Sequence, residues 1–521
     1  MYKDRRSVYR KNQTKKLRIL FINPCLRRGS PTKHLPVGLG YVMTNVKYHG
    51  YDFDLFDVDI NEFSDNEVEK FIKEHRYDVI LYGSIVTHYR WIKWLTRLIK
   101  RYHPDTFVVV GNSVSGSCAD VFLQNVPADL IVIGEGEDTA VEVLDALSSG
   151  GNTSDICGLA YRDEQGSVVY TEKRKARKYV DEFPMVDWGI FDYVKYRDKR
   201  SALIDQEDPT DIGIPVATAR GCVFRCSFCH FVFWDDPYRY RSPDSILDEV
   251  QRNIEVYGTS TIAFWDDLTF GSLQQVERLC DRILERKIQF RWSCTTRTDL
   301  FGKSKVPVAK RIEIAKKMRK AGCYSSGFAL ESGNAEILEM MNKKVAKEYF
   351  SEHVTILKEA GIRLFISVVF GYPIETKETI AETFEMCLKN GLYPSIGYLM
   401  PLPYTGMYQY AKENNFISNE DEYLESLTER QDIGLNMTKM SDEEITKEIL
   451  VGARDLNRRL QLDLPEVQLV RTGGYRNVAN RGGAGIPNNK LNVTDTDKLS
   501  RNENDFSFNY SQVRFDEKNL A

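Results

Sequence analysis

A chain of 521 residues, 42% of them hydrophobic, is long enough for two or three globular domains. The formal net charge of -4 at pH 7 argues against a general nucleic-acid-binding protein, which is usually strongly basic. No apolar run approaches the roughly 18 residues that span a bilayer, and the first residues, MYKDRRSVYRKNQTKK, lack the apolar stretch of a secretory signal. We therefore expect a cytoplasmic protein with no transmembrane segment and no nucleic-acid partner.

After a basic arm at 1–16, residues 17–150 alternate short apolar runs with longer amphipathic stretches. Five of the runs have strand character, and they read LRILFIN, YDFDLFDV, YDVILYGS, TFVVVG and ADLIVIG. This pattern predicts an α/β domain with a doubly wound, Rossmann-like parallel sheet. Ligands in such sheets bind at the carboxyl ends of the strands, where this chain has glycine-rich and polar loops. We therefore predict a ligand site over these loops, although any one of them could simply be a tight turn.

Residues 151–205 are mixed and charged, and they predict a linker that contains a small hairpin in GLAYRDEQGSVVYT. From 206 to 410 a second series of six strand-like runs follows: IPVATA, TIAFWDD, FRWSCTTR, CYSSGFALE, LFISVVFGYP and SIGYLMPLP. Strands that alternate with helices predict a partial (β/α)6 barrel of the TIM type. The pattern at 411–465 is helical. The last segment, 466–521, is rich in Gly and Asn and poor in apolar residues, so we expect a disordered tail.

Three of the ten cysteines form a close group: Cys222, Cys226 and Cys229 lie in GCVFRCSFCHF, after the first strand of the second series. Barrel enzymes keep their active sites on such loops. Structural zinc sites need four ligands, whereas a [4Fe-4S] cluster held by three thiolates leaves one iron free for another ligand. The spacing favours this open cluster. Zinc with His230 or a distant cysteine as the fourth ligand is the less favoured alternative.

This loop, with Phe228 before the last cysteine, resembles that of the radical S-adenosylmethionine enzymes. Four later segments resemble successive strand-end motifs of that family's barrel: FWDDLTF at 264–270, WSCTTRTD at 292–299, FALESGN at 328–334 and FGYPIET at 370–376. The N-terminal domain, with LPVGLGY at 35–41 and IGEGED at 133–138, is similar to the cobalamin-binding domain that precedes the barrel in one branch of the family.

The resemblance implies that S-adenosylmethionine binds the open iron and that one electron from the cluster cleaves it to a 5′-deoxyadenosyl radical, which takes hydrogen from a substrate. Such an enzyme works under anaerobic conditions with an electron donor such as flavodoxin or ferredoxin. The implied contacts to S-adenosylmethionine are Phe228 at the adenine, Asp266 or Asp267 at the ammonium group, Arg297 at the carboxylate, Glu331 and Ser332 at the ribose, and Gly371.

Cobalamin is the third cofactor that the resemblance implies. The residues that would contact it are Pro36, Gly38, Leu39, Ser84, Thr87, Gly111, Gly134, Glu135 and Gly136. The chain departs from the family in three places. The Asp-x-His-x-x-Gly loop that supplies a lower cobalt ligand in some members is missing from NPCLRRGSPTKHLPVG, a Gly-Gly pair is Gly111-Asn112, and a Pro-Gly-Thr-Pro is PYTGMY at 403–408. His34 and His88 lie on candidate loops, although lone histidines are more often structural.

Two activities fit this architecture. The first is a methyltransferase that methylates an unactivated carbon of a small-molecule or lipid-like substrate. The alternative is a radical cyclase, a ring-contracting enzyme or a C–C coupling enzyme, which transfers no methyl group. A methylthiotransferase would need a second cluster held by three N-terminal cysteines, and only Cys25 lies on a suitable loop. A purely structural or electron-transfer cluster would be expected to have a complete set of cysteine ligands.

Overall fold

The computed structural model describes residues 16–30, 33–198, 213–230, 236–303 and 305–470. The predictions for the basic arm up to residue 15 and for the tail from residue 471 lie outside these described residues. No helix in the described part of the chain is long and apolar enough to cross a membrane.

The first half of the chain is built on a seven-stranded sheet with the strand order β2-β1-β3-β4-β5-β6-β7. Its strands are β1 Ile19–Asn23, β2 Asp54–Asp57, β3 Val79–Gly83, β4 Phe107–Gly111, β5 Leu130–Val132, β6 Leu159–Arg162 and β7 Val168–Tyr170. The first five are parallel, which confirms the predicted Rossmann-like sheet. The strand order reverses between β1 and β3, and ligands of open α/β sheets bind at such a reversal.

The helices of this half cover both faces of the sheet. They are α1 Val37–Tyr48, α2 Val58–Asn61, α3 Asp65–Glu74, α4 Tyr89–Tyr102, α5 Ser113–Gly116, α6 Ala119–Asn125, α7 Glu137–Ser149 and α8 Tyr193–Asp198. Short 3-10 turns lie at Val86–His88, Val180–Glu182 and Trp188–Ile190. Local sequence sets several helix starts: Ser64 and Glu67 form a reciprocal capping box at α3, for example.

The predicted hairpin exists, but it belongs to the first sheet. Strand β6 pairs antiparallel with β5, and β7 pairs antiparallel with β6. The residues after the hairpin also pack onto this domain, because Trp188 is fully buried and its ring lies against Gly40 of α1. The part of the expected linker that the structure describes is therefore a packed extension of the first domain.

The second half contains a six-stranded parallel sheet in the order β15-β14-β13-β12-β11-β8. Its strands are β8 Ile214–Val216, β11 Thr261–Phe264, β12 Arg291–Thr295, β13 Cys323–Glu331, β14 Arg363–Phe370 and β15 Pro394–Tyr398. Each strand pairs with the next in the chain, which confirms the predicted six-stranded partial barrel. A short antiparallel ribbon of β9 Ala219–Arg220 and β10 Arg239–Tyr240 follows β8.

The helices of the second half alternate with its strands and continue into a C-terminal helical region. They are α9 Pro243–Tyr257, α10 Leu273–Arg286, α11 Thr298–Gly302, α12 Val308–Lys320, α13 Ala335–Met340, α14 Lys347–Glu359, α15 Lys377–Lys389, α16 Gly406–Glu413, α17 Glu420–Ser426 and α18 Asp442–Arg459. Helix α18 packs on α15, where Gly452 faces the ring of Phe384. A 3-10 turn at Glu466–Gln468 and the buried Leu469 extend the ordered core past residue 466.

We predict that Gly302→Ala will destabilise the protein by about 3 kcal/mol, because two elements of the barrel meet here without room for a side chain. A Cβ atom at Gly302 in α11 would lie 1.9 Å from the backbone oxygen of Tyr349 in α14. Urea unfolding under anaerobic conditions measures the change. Gly434→Ala is the control, since its Cβ would meet nothing within 4 Å, and it should change the free energy of unfolding by less than about 0.5 kcal/mol. Equal effects of the two substitutions would contradict the prediction.

Candidate active site

The loop after β9 carries Cys222, Cys226 and Cys229 at the carboxyl end of the barrel. Burial and the neighbouring thiols of Cys226 and Cys222, together with Asp267, raise the pKa of Cys229 to about 12. The charge of neighbouring thiols contributes to the raised pKa of both Cys222 and Cys229, so the three side chains share one environment. Within the described residues no three His, Cys, Asp or Glu side chains converge on a single metal ion. Thiolates that each bind a different iron of a cluster do not need to converge in that way, so the donor set fits a cluster.

His230 does not complete a mononuclear site in this arrangement. Its Nδ1 atom lies 2.8 Å from the backbone oxygen of Pro403, a contact that holds the ring toward the loop after β15. Burial lowers the pKa of His230. The zinc alternative, with His230 as a fourth ligand, therefore gains no support from the geometry.

Hydrogen bonds fix the cysteine loop to the end of α13 and to the start of α16. Ser227 donates from its backbone nitrogen to Met341 O at 2.9 Å and from its hydroxyl to Met340 O at 2.9 Å. The backbone nitrogen of Met407 donates to Ser227 O, also at 2.9 Å. Asn342 donates to Arg225 O at 2.7 Å. The loop is thus held between the segment after β13 and the start of α16.

Arg297 lies beside the thiol of Cys226. Its Nη1 atom lies 3.8 Å from Cys226 Sγ, and its guanidinium covers the ring of Phe224 at 3.2 Å. It also donates to Lys343 O at 2.8 Å and to Asp299 Oδ1 at 3.1 Å. The prediction that Arg297 meets the S-adenosylmethionine carboxylate remains a prediction, and its position beside the open cluster suits that role.

Glu331 and Lys343 form a buried ion pair of 2.9 Å beside the cysteine loop. The ammonium group of Lys343 also lies 5.9 Å from the ring centre of Phe228, which packs edge-on against Tyr372. Glu331 has a φ of 64°, in the left-handed region that most side chains avoid, and it sits at a break in the register between β13 and β14. Strain of this kind is typical of a functional position. Glu331 is the residue predicted to contact the ribose, yet one of its carboxylate oxygens already accepts a hydrogen bond from Lys343.

The two aspartates after β11 have different roles. The carboxylate of Asp266 accepts from Thr218 Oγ1 and Thr218 N at 2.7 Å and from Ala219 N at 3.0 Å, so it holds the strand that leads into the cysteine loop. Asp267 is exposed to solvent on one side, and desolvation by the groups around its carboxyl, together with the charge of Asp266, raises its pKa to about 6. Of the two aspartates predicted for the ammonium group, Asp267 is therefore the one with an available carboxylate.

Ser332 and Gly371 lie at neighbouring strand ends. Ser332 is buried, and its hydroxyl accepts from Asn334 N at 3.1 Å, so that it shapes the turn into α13. Gly371 has a φ of 99° and donates its backbone N–H to Glu375 Oε2 at 3.2 Å. A side chain at Gly371 would be strained in this conformation. Both predicted contacts to S-adenosylmethionine remain predictions, and for Ser332 the hydroxyl is already engaged.

We predict that Glu375→Gln will remove a pH-dependent loss of stability near the Gly371 turn. Burial raises the pKa of Glu375 to about 7, although hydrogen bonds from Thr379 and Gly371 oppose the rise. Because the folded pKa is above the ordinary 4.5, the carboxylate destabilises the fold increasingly as pH rises from about 4.5 to 7. Urea unfolding gives the free energy of unfolding of the variant minus that of the unaltered protein. This difference should rise by about 2 kcal/mol from pH 5.5 to pH 8. Glu385→Gln, an exposed change on α15, should show no such trend; a trend of the same size there would refute the assignment.

The predicted cobalamin contacts lie along the carboxyl edge of the first sheet. Pro36 caps α1, with Gly38 and Leu39 in its first turn, and a Cβ at Gly38 would meet nothing within 4 Å. Gly134, after β5, has a φ of 81° and equally open surroundings. Open glycine backbone at the strand-order reversal and at β5 is compatible with a large flat ligand lying across this edge.

The other contacts predicted for cobalamin lie after β3, β4 and β5. Ser84 Oγ lies 3.0 Å from Nδ1 of His88, whose ring stacks on Trp91, and Thr87 is in the same turn. Gly111 ends β4, where a Cβ on Gly83 would come within 2.6 Å of its oxygen. Gly136 caps α7. These positions stay predictions.

Glu135 departs from its expected role, because its carboxylate binds two arginines of the second half. Arg220 donates to it at 2.7 Å and Arg239 at 2.8 Å, and Arg220 also donates to Glu137 at 2.5 Å. All four side chains are buried. Burial opposes ionisation of Glu135, but the hydrogen bonds and charges of Arg239 and Arg220 lower its pKa below the usual range. Any contact of residue 135 with cobalamin would therefore come from its backbone.

A second contact joins the same two edges. The ring of His34, in the loop between β1 and α1, packs 5.1 Å from Trp265, the residue directly after β11. Burial and the charge of Arg27 lower the pKa of His34 to about 4, so the imidazole is neutral at pH 7. The carboxyl edge of the first sheet thus faces the carboxyl end of the barrel, where the cysteine loop lies.

Comparison with known families assigns each half. The profile of the radical SAM superfamily matches residues 216–387, and that of the B12 binding domain matches residues 25–144. The chain belongs to the radical S-adenosylmethionine enzymes that carry a cobalamin-binding domain. Members of this family use a [4Fe-4S] cluster, S-adenosylmethionine and cobalamin. These are the three cofactors that the sequence predicted.

Similar proteins include both a methyltransferase and a cyclase. An uncharacterized methyltransferase of Pyrococcus horikoshii is 26% identical over 410 residues, which cover 77% of this chain and 85% of that protein. The anaerobic magnesium-protoporphyrin IX monomethyl ester cyclase of Rubrivivax gelatinosus is 26% identical over 408 residues, with 75% and 70% covered. The structure of the cobalamin-dependent radical enzyme OxsB aligns with a TM-score of 0.62 at 18% identity and shares the fold; the match covers 81% of this chain and 58% of OxsB.

The residues that connect the two sites could not be predicted from the sequence. Arg220 stands two positions before Cys222, and Arg239 begins the strand that returns past it, yet neither belongs to a motif that we used. Lys343 was missed as well, although it follows the motif residue Glu331 by only twelve positions. The partners of these three residues lie far away in the sequence or outside any local motif. The spacing of cysteines and glycines therefore does not indicate which residues pair.

Proposed function

We propose that this radical S-adenosylmethionine enzyme transfers a methyl group to an unactivated carbon of a small-molecule or lipid-like substrate. The observation that carries the proposal is the approach of the two carboxyl edges, through His34 and Trp265 on one side and through Glu135 and Arg220 on the other. A carrier held over the first sheet would then face the site where the radical is made. When bound, the cluster and S-adenosylmethionine supply a carbon-centred radical, and cobalamin supplies a methyl carrier.

The chain's own residues hold and orient these groups. Cys222, Cys226 and Cys229 would bind the cluster, and Arg297 and Asp267 would orient the charged end of S-adenosylmethionine. The ion pair of Glu331 and Lys343 would support the ribose and the ring of Phe228.

We further propose that a flavodoxin or ferredoxin delivers the electron in the cytoplasm. All ten cysteines are free in the structure, as expected for a reducing compartment.

The test is to follow the methyl group. Holoenzyme is incubated with a reductant, with S-adenosylmethionine that carries a trideuterated methyl group, and with small-molecule extract from cells that lack the gene. Methyl transfer should yield S-adenosylhomocysteine and 5′-deoxyadenosine in comparable amounts, together with a trideuteromethylated product seen by mass spectrometry. Deoxyadenosine without S-adenosylhomocysteine would overturn methyl transfer and support the cyclase or coupling alternative. The similarity to a cyclase is the observation that favours this alternative.

A further inference from the structure

His353, on α14, is a fully buried histidine in the barrel. Its ring packs edge-on against Phe328 of β13, with 4.5 Å between the ring centres, and lies 5.7 Å from the ring of Phe301 in α11. Burial lowers the pKa of His353 to about 3, so the imidazole is neutral at pH 7. A buried polar ring is costly unless its nitrogen atoms have partners, and both have one here.

The two nitrogen atoms of His353 have different roles. The backbone N–H of Phe301 donates to Nδ1, with 3.4 Å between the two nitrogens, so Nδ1 carries no hydrogen. In a neutral imidazole the other nitrogen then carries it. Nε2 lies 3.4 Å from Thr296 Oγ1 and therefore donates to this hydroxyl. The hydroxyl of Thr296 is left to donate to Ser326 Oγ, which lies 2.9 Å away.

The two hydrogen bonds of His353 lie on either side of Arg297 in the chain. Thr296 directly precedes Arg297, and its backbone N–H donates to Gly327 O of β13 at 2.8 Å. Phe301 follows Arg297 by four positions and lies in the short helix α11. One imidazole thus holds both the end of the strand and the helix between which Arg297 is placed.

The backbone of Arg297 gets little support from α11 itself. Arg297 is the N-cap residue of this helix, with an extended backbone of φ −114° and ψ 152°. Within the described residues its side chain makes no capping hydrogen bond, and the helix is only five residues long. The helix is placed by its packing on α14, where a side chain at Gly302 would collide with the backbone of Tyr349. The position of Arg297 therefore depends on the contact between α11 and α14, to which His353 belongs.

Arg297 needs such support if it is to hold a carboxylate. Its guanidinium lies 3.8 Å from Cys226 Sγ and donates to Lys343 O at 2.8 Å, so it stands beside the loop that would carry the cluster. A guanidinium binds a carboxylate best through two parallel hydrogen bonds, which fix its orientation. Groups of this kind have to be held to within about 0.5 Å by the residues that support them.

We propose that His353 is a positioning residue for S-adenosylmethionine: it holds the segment 296–301 so that Arg297 meets the carboxylate of this cofactor. His353 acts through the arginine and not by touching the cofactor. The inference rests on the proposed function, because that function assigns the charged end of S-adenosylmethionine to Arg297.

Anaerobic equilibrium dialysis of the full-length, reconstituted holoenzyme against S-adenosylmethionine tests the proposal. His353→Phe keeps a ring but removes both hydrogen bonds, so the dissociation constant should rise about tenfold, which corresponds to the loss of about one hydrogen bond. His353→Asn keeps an acceptor at the place of Nδ1, and His353→Gln keeps a donor near the place of Nε2, so each should raise it less. Iron content and hydroxocobalamin binding should stay unchanged in a folded variant, and the two polar variants carry the test if His353→Phe does not fold.

A double variant distinguishes the positioning of Arg297 from general damage to the fold. Arg297→Met should weaken the binding of S-adenosylmethionine, and adding His353→Phe should weaken it no further, because the histidine acts through the arginine. Trp292→Phe is the matched control on β12. Its ring is also fully buried, and its Nε1 donates to Ala321 O at 2.8 Å, so this variant loses a buried hydrogen bond but should leave the dissociation constant unchanged.

The positioning role would be overturned by an unchanged dissociation constant in His353→Phe, by an equal rise in Trp292→Phe, or by full additivity in the double variant. If Arg297→Met itself leaves binding unchanged, the arginine does not hold the carboxylate, and the inference fails with that assignment. Methyl transfer is tested separately, by the ratio of 5′-deoxyadenosine to S-adenosylhomocysteine. Failure of methyl transfer would therefore leave the dialysis results for His353 in place.

Discussion

Alanine at Cys222, Cys226 or Cys229 will each abolish the iron–sulfur cluster and, with it, all production of 5′-deoxyadenosine. Three thiolates hold a four-iron cluster with one open iron, so the loss of one leaves too few ligands. Iron and sulfide analysis after anaerobic reconstitution, with the visible charge-transfer band, measures the effect.

Cysteines outside the loop provide the controls for this prediction. Cys280→Ala and Cys387→Ala remove thiols that are fully buried in the barrel, and Cys157→Ala removes one that is partly exposed in the first domain. All three variants should bind as much iron as the unaltered protein. A full iron content in the triple variant of the loop would refute the assignment.

Arg220→Met will destabilise the protein by about 3–5 kcal/mol. The substitution leaves the buried carboxylate of Glu137 without its arginine, and it removes one of the two arginines that bind Glu135. The free energy of unfolding in urea, measured anaerobically, reports the change. The double variant Arg220→Met with Glu137→Gln should recover part of the loss, since it also removes the charge that was left behind.

Arg282→Met is a matched control for the buried arginine. Arg282 also bonds two carboxylates, Asp244 and Glu285, each at 2.6 Å, but its side chain is 41% exposed. Exposed pairs contribute little, so this variant should lower the free energy of unfolding far less than Arg220→Met does. If both arginine variants lowered the free energy of unfolding by the same amount, burial would not explain the effect of Arg220→Met.

The fold could be predicted from the sequence where local pattern determines it. The runs that became β1 to β5 are short, apolar and followed by polar turns, and parallel strands buried on both faces produce that pattern. The place of the hairpin could not be predicted in the same way. Nothing in GLAYRDEQGSVVYT says that its first strand pairs with β5 rather than standing alone, because pairing depends on which sheet edge is free.

The site shows the same division. The spacing of three cysteines is a local signal, and the structure places them together on one loop. Glu135 was assigned to cobalamin from its loop, whereas its carboxylate binds arginines 85 and 104 residues further along the chain. Asp266 likewise binds a strand that precedes it by 47 and 48 residues. Which oxygen is still available to a ligand depends on such distant partners, and residue type and spacing do not report them.

The arginines between the two halves also restrict how the enzyme can exchange its substrate. Swinging the cobalamin domain away from the barrel would break the buried ion pairs that Arg220 and Arg239 make with Glu135 and Glu137. Turnover should therefore proceed with the two domains clamped together. Substrate entry and release would then depend on movements within one half of the protein, and not on separation of the two halves.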